Sequence, residues 1–289
     1  MILRHTALRE GKLLSFLRRE LGLSYGLVKR LKYQDAYHVN GEPAHTDHPI
    51  RPGDVITVSI AEAQPDVSPE DGEITILYED EAIIALDKPP GILMHPTFNR
   101  TQGTLANRLL GYYRRTGQPC AVHLVSRLDR DTFGITLVAK NAHIHALLCA
   151  SARAGHLEKT YHAAVFGHPP ATSGEISLPI ARLSPTSLLR CVRADGKFAR
   201  TTYQVLRTTV DCALVRLRPE TGRTHQLRVH CAHEGFPILG DTQYGTDASQ
   251  TFSQACGYAH QQLCAASLSF PHPLTGGKMA LHSHLSVDV

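Results

Sequence analysis

VSRLDRDTFGITLVAK, residues 125–140, joins two kinds of sequence that seldom touch. Its second half holds the run Ile135–Ala139, rich in β-branched and aliphatic residues, which predicts a buried strand. Its first half crowds Arg127, Asp129, Arg130 and Asp131 against the mouth of that strand. A solvated charged turn is one reading, because Asp is mostly an exposed residue. The other is that one of these carboxylates is a reagent held at a cleft. The surrounding sequence bears on the choice.

Short strand-like segments dominate from Glu73 onward, interleaved with a few helices. ITILYED (74–80) and AIIALDK (82–88) read as strands separated by an acidic turn, and PPGILMHP (89–96) as a proline-glycine turn leading out of the second. GTLANRLLGYYRR (103–115) has the apolar spacing of an amphipathic helix, as does NAHIHALLCASARAG (141–155), with Gly155 placed to end it. KTYHAAVFG (159–167), TTYQVLRTT (201–209), CALVRLRPE (212–220) and HQLRVHCA (225–232) predict further strands or strand–helix junctions. The class is α+β with a mixed sheet, without internal repeats or low-complexity tracts.

The first sixty residues form a unit of their own. Leu13, Leu14, Phe16, Leu17, Leu21 and Leu23 recur at helical spacing; Gly22 fits a C-cap and Ser24 an N-cap for a second helix through SYGLVKRLKYQ. YHVNGEPA then carries an Asn40-Gly41 hairpin signal, and RPGDVITVSI a turn and an alternating strand. Lys12, Arg18, Arg19, Lys29, Arg30 and Lys32 are opposed there only by Glu20, so the helices present a basic face. Such a face is either solvated surface or an electrostatic footprint for a polyanion. Residues 61–72, acidic and with Pro65 and Pro69, read as a linker, leaving residues 73–289 as the larger domain.

Bulk properties narrow the function without fixing it. The 289 residues suffice for one large and one small domain, and the net charge of +4 permits a polyanionic partner without demanding one. No apolar run reaches the ~18–20 residues that span a bilayer, and the N-terminus lacks a signal-peptide core, so no membrane partner and a cytoplasmic location are expected. The seven Cys form no CxxC pair and are odd in number, which predicts reduced thiols rather than a disulfide framework. His225/His230 and His282/His284 lack partners at familiar zinc spacing, and HExxH is absent, so no metal is expected. Phosphate cradles of the GxxxxGK[ST] or GxGxxG kind and the GxSxG elbow are absent too.

Three stretches place polar residues beside apolar strands: the turn around Asp129, the KTY segment with Tyr161 beside Lys159, and the segment from Thr221 to Arg228. A carboxylate, a tyrosine and an arginine converging on a cleft suit acid/base or nucleophilic work on a planar ring attached to something anionic. An arginine paired with Asp129 would hold its carboxylate ionised. His225 and Gln226 read as braces of the loop.

RLDRDTFGITLVAK resembles the central motif of the RluA family of RNA pseudouridine synthases, typically HRLDxxTSG before a hydrophobic strand; Ser126 and Phe133 depart from that form. ALDKPPGILMHP, KTYHAAVFG, TGRTHQLRVH, FPILGDTQYG and LSFPHPLTG are similar to further segments of that family, collinear over roughly residues 75–280. The helix, basic helix, VNG and RPGD order of residues 1–60 resembles the S4-type RNA-binding module.

The resemblance implies a pseudouridine-synthase-type domain on a mixed, largely antiparallel sheet with flanking helices, plus a small N-terminal S4-like α+β module. It implies site-specific isomerisation of uridine to pseudouridine in structured RNA, with no cofactor. Ribosomal RNA is the first expectation for the target and transfer RNA the second, with a monomer as the working form. Asp129 would be the catalytic aspartate, attacking the ribose C1′ or taking the 2′ proton. Tyr161 would pack against the base and help remove its C5 proton. Arg228 would pair with Asp129, Leu227 would pack beneath the ring, and Arg127 would hold the nucleotide out of its helix. Lys29, Arg30 and Lys32 would meet RNA phosphates. The alternative from another class is a non-catalytic RNA-binding or assembly protein that retains the synthase fold.

Overall fold

The computed structural model describes residues 2–60, 67–287 and 289, so the first half of the expected linker lies outside the described residues. The chain opens with β1 (Ile2–Thr6) and β2 (Gly11–Lys12), then two short helices, α1 (Leu13–Arg19) and α2 (Tyr25–Lys32). Ser24 starts α2 by accepting from the Leu27 amide, one of the N–H groups a helix start leaves unpaired. β3 (Tyr37–Val39) and β4 (Glu42–Pro43) flank Asn40 and Gly41, whose φ values of 53° and 90° are those a type I′ turn needs. β5 (Pro49–Ile50) pairs with β2, and β6 (Val55–Ser59) completes a sheet ordered β1-β6-β3-β4. Leu13, Phe16, Leu17, Val28 and Leu31 meet Ile56 and Val58 in a hydrophobic core belonging to this unit. Lys29, Arg30 and Lys32 are left exposed on α2.

Residues 67–72 lie along the first helix of the larger part. The Glu70 amide donates to Asn107 O, and Asp71 pairs with Arg115. β7 (Thr75–Glu79) and β8 (Ile83–Lys88) form a hairpin ahead of α3 (Leu105–Arg115), which a Thr104–Asn107 capping box begins. β9 (His123–Leu124) and β10 (Phe133–Ala139) bracket the charged turn, and α4 (Ala142–Arg153) packs behind them. β11 (Glu158–Phe166), β12 (Ser173–Ser177), the hairpin β13 (Ile180–Arg182) and β14 (Arg190–Val192), β15 (Arg200–Thr208) and β16 (Cys212–Pro219) follow. Then come α5 (Gln226–His233), α6 (Asp247–Ala255), β17 (Leu263–Pro271) and β18 (Lys278–His282).

The main sheet runs β12-β15-β16-β11-β17-β10-β8-β7, with β18 on β17 and β9 on β10. Its neighbours pair antiparallel except β10 and β17, which run parallel through Phe133–Cys264 and Gly134–Ala265. The chain is therefore α+β on a mixed, largely antiparallel sheet with flanking helices. The parallel crossing explains the glycine: a Cβ on Gly134, at φ 98°, would stand 2.4 Å from the Ala265 carbonyl oxygen. Phe133, the departure just before it, turns away from the charged loop and packs with Ala164, Leu239 and Cys264. Tyr161, Ala163, Val215 and Leu217 line the opposite face, beneath Leu105 and Leu109 of α3 and Leu227 of α5.

HQLRVHCA, read above among strands and strand–helix junctions, is the helix α5. Gln226 to Cys231 are all buried, so no polar face marks the helical period. Cys212, Cys231 and Cys264 lie in the core, Cys256 is exposed, and none of the seven is joined in a disulfide among the described residues. Among the described residues no helix is long and apolar enough to cross a membrane.

Candidate active site

The turn before β10 is pinned from three sides. Leu128 is buried in the main core, which sets Arg127 and Asp129 on either side of an anchored residue. Lys88, at the end of β8 and fully buried, donates from Nζ to Pro89 O at 2.9 Å and to Arg130 O at 2.7 Å. Burial pushes its pKa down to about 8, against the pull of Asp131 and Asp129. Gln261 donates to the Thr132 hydroxyl at the other end. Asp129 is thus held half-buried, with 28% of its side chain exposed, while Arg127 points outward and makes no hydrogen bond or ion pair among the described residues.

α5 brings Arg228 to this turn. Its Nη1 donates to Asp129 Oδ2 at 3.0 Å. Its other edge is forked onto Asp241, Nε to Oδ2 at 2.7 Å and Nη2 to Oδ1 at 2.9 Å, and Nη2 also donates to Gln243 Oε1 at 2.7 Å. The Tyr244 ring lies 4.8 Å from the guanidinium carbon. Asp241 is fixed in turn by the amides of Gln243 and Tyr244, both on Oδ1. Burial opposes the charge on Arg228, but the hydrogen bonds and charge of Asp241, then those of Asp129, raise its pKa above that of an ordinary arginine. The guanidinium is a fixed cation with one edge committed to Asp241 and one corner presented to Asp129.

Tyr161 on β11 and Leu227 on α5 share one apolar cluster. Burial first, then the negative charge of Asp129, raises the Tyr161 pKa, so its hydroxyl keeps its proton. That works against a phenolate base and suits a neutral aromatic wall. Gln226 braces the loop: Oε1 accepts from Thr221 Oγ1 and Arg223 N, and Nε2 donates to Arg200 O and Thr201 Oγ1.

The structure thus brings Asp129, Tyr161, Leu227 and Arg228 together, with Arg127 at the rim. Lys29, Arg30 and Lys32 stand apart on α2, where Ser24, Leu27 and Arg30 face His143 of α4 across a cavity of about 270 Å³. Sequence reading passed over Lys88, Asp241, Gln243 and Tyr244. The last three sit in FPILGDTQYG, where a Gly-Asp pair followed by polar residues looks like an ordinary turn.

A family model described as RNA pseudouridylate synthase matches residues 82–233. An uncharacterized RNA pseudouridine synthase of Bacillus subtilis, YjbO, is 36% identical over 93% of this chain and 94% of its own. Ribosomal large subunit pseudouridine synthase D of Pseudomonas aeruginosa is 38% identical over 78% of this chain and 73% of its own. Among solved structures, human RNA pseudouridylate synthase domain containing 1 is similar in fold, with a TM-score of 0.60 at 23% identity, over 76% of this chain and 94% of that one.

Proposed function

This chain belongs to the RNA pseudouridylate synthase family, and from that premise we propose that Asp129 is the carboxylate on which its isomerisation of uridine turns. In that reaction the bond from ribose C1′ to uracil N1 breaks, the base rotates, and C1′ bonds to C5. The C5 proton leaves and N1 gains one. No net oxidation occurs, so the chemistry needs no redox cofactor. Asp129 assists by attacking C1′ or by taking the 2′ proton, and either route requires it ionised.

One observation carries the reading: Arg228 meets Asp129 at 3.0 Å while its other edge is locked on buried Asp241. A cation so held gives the half-buried carboxylate of Asp129 a fixed counter-charge and a fixed orientation. Tyr161 and Leu227 supply apolar walls for a base taken out of its stack, and Arg127 is free to enter the place it vacates. An intact carboxylate–arginine pair argues against a binding protein that only retains the fold.

The preferred target is large-subunit ribosomal RNA, which the name of the Pseudomonas aeruginosa relative supports, with transfer RNA as the alternative. The N-terminal unit acts as an S4-like RNA-binding module through Lys29, Arg30 and Lys32. One chain carries every residue the reading uses, in keeping with a monomer acting in the cytoplasm. The test is release of tritium from RNA transcripts labelled at uridine C5, run on ribosomal and transfer RNAs separately. Asp129→Asn, which keeps shape and loses charge, should abolish release. Release at the wild-type rate would remove Asp129 from the chemistry.

A further inference from the structure

His225 adjoins Asp129 with no part in the reading above. It caps the start of α5 at φ 56°, a left-handed conformation that a non-glycine residue holds only where its surroundings fix it. Two contacts do so. Nδ1 lies 2.7 Å from the Tyr244 hydroxyl, and Nε2 lies 3.9 Å from Asp129 Oδ2.

The hydrogen-bond chain favours one nitrogen for the imidazole proton. The Tyr244 hydroxyl accepts from the Arg190 amide at 2.9 Å. Its own proton then goes to the nearest acceptor, His225 Nδ1. A neutral imidazole that accepts at Nδ1 carries its hydrogen on Nε2, the nitrogen facing Asp129. Burial keeps the ring neutral by lowering its pKa; Asp129 and Asp241 pull it upward, while Arg228 and Arg190 push it down.

We propose that His225 is a positioning residue for Asp129, held by Tyr244 as the Nε2–H tautomer and aimed with Arg228 at a single carboxylate oxygen. Both donors bear on Oδ2, and Oδ1 receives no hydrogen bond among the described residues. Oδ1 is therefore the oxygen left to meet the ribose. At 3.9 Å the histidine contact is an approach and not yet a hydrogen bond. A closure of about 1 Å when the nucleotide enters completes it, as such contacts tighten on substrate binding. The inference rests on Asp129 being the reacting carboxylate.

The test is single-turnover tritium release from a mixture of ribosomal and transfer RNA transcripts, measured for wild type, His225→Leu, His225→Gln and Tyr244→Phe. Both His225 replacements share the same backbone strain, so their difference isolates the donor. His225→Leu should slow the step by roughly 10–100-fold, the worth of a hydrogen bond to a charged group, with RNA affinity unchanged. His225→Gln should recover to within about threefold of wild type, because its amide donates near the reach of Nε2. Tyr244→Phe should be slowed as well, because it frees the tautomer. Equal losses in the leucine and glutamine variants, wild-type rates in His225→Leu, or affinity falling in step with rate would each overturn the proposal. Asp129→Asn is run alongside: if it turns over, the reading beneath has failed and the positioning role falls with it, whatever the histidine variants do.

Discussion

Arg228 carries one charge between two carboxylates, and its geometry divides the work. The fork on Asp241 is anchorage, and the remaining corner is the one that meets Asp129, the carboxylate proposed to react. Replacing Asp241 by Asn keeps the volume but leaves a buried cation with half its compensation. The expected result is a stability loss on the order of 3 kcal/mol by urea denaturation, with slower turnover and RNA affinity kept. Unchanged stability and rate would mean that Asp129 alone satisfies the guanidinium. Lys88 makes a different kind of prediction. Its folded pKa of about 8 lies below the ~10.4 of an unfolded lysine. Between those values the unfolded chain holds a proton that the folded chain has released, so this residue's contribution to stability rises with pH. Raising the pH from 7.5 to 9.5 should stabilise the wild type relative to Lys88→Met by ~2 kcal/mol. A flat difference across that window would show that Lys88 keeps its charge when buried.

At the scale of the element, the crossing of β10 and β17 fixes the turn that holds Asp129 in the sheet. Gly134→Ala would drive a Cβ into the Ala265 carbonyl and also strain φ. The variant should lose several kcal/mol of stability, on the order of other overpacked or strained sites, and its turnover should fall with the displaced turn. A melting temperature like that of wild type would mean the two strands part without cost. The elements legible in sequence carry their own punctuation: Ser24 before α2, Asn40-Gly41 in its hairpin, and the apolar stripe of α3. α5 has none of these, because its buried run Gln226–Cys231 hides the helical period and alternates like a strand. The site divides in the same way. Asp129, Tyr161 and Arg228 stand beside strong local patterns. Asp241 looks like a turn residue until the fold buries it, and Lys88, followed by two prolines, reads only as the end of a strand.

At the scale of the whole molecule, a second group of cations stands on the N-terminal unit. The N-terminal unit closes its own core, and Lys29, Arg30 and Lys32 stand exposed on the last turns of α2. None of them is bonded to Asp129 among the described residues, and under the proposed function their contribution is capture of RNA rather than bond making. Each phosphate neutralised by such a side chain releases about 0.7–0.9 of a counterion and steepens the dependence of binding on salt accordingly. The triple variant Lys29→Ala, Arg30→Ala, Lys32→Ala should therefore bind more weakly at low salt and lower the slope of log K against log salt by about 2–3. The single-turnover rate at saturating RNA should stay near that of wild type, because Asp129, Arg228 and Asp241 are untouched. These two readouts separate the roles. A smaller slope with a normal rate assigns α2 to the phosphates, whereas an unchanged slope takes that face out of the RNA interface. A lost rate with an unchanged slope would instead mean that α2 acts through its packing against α4, across the cavity lined by Arg30 and His143.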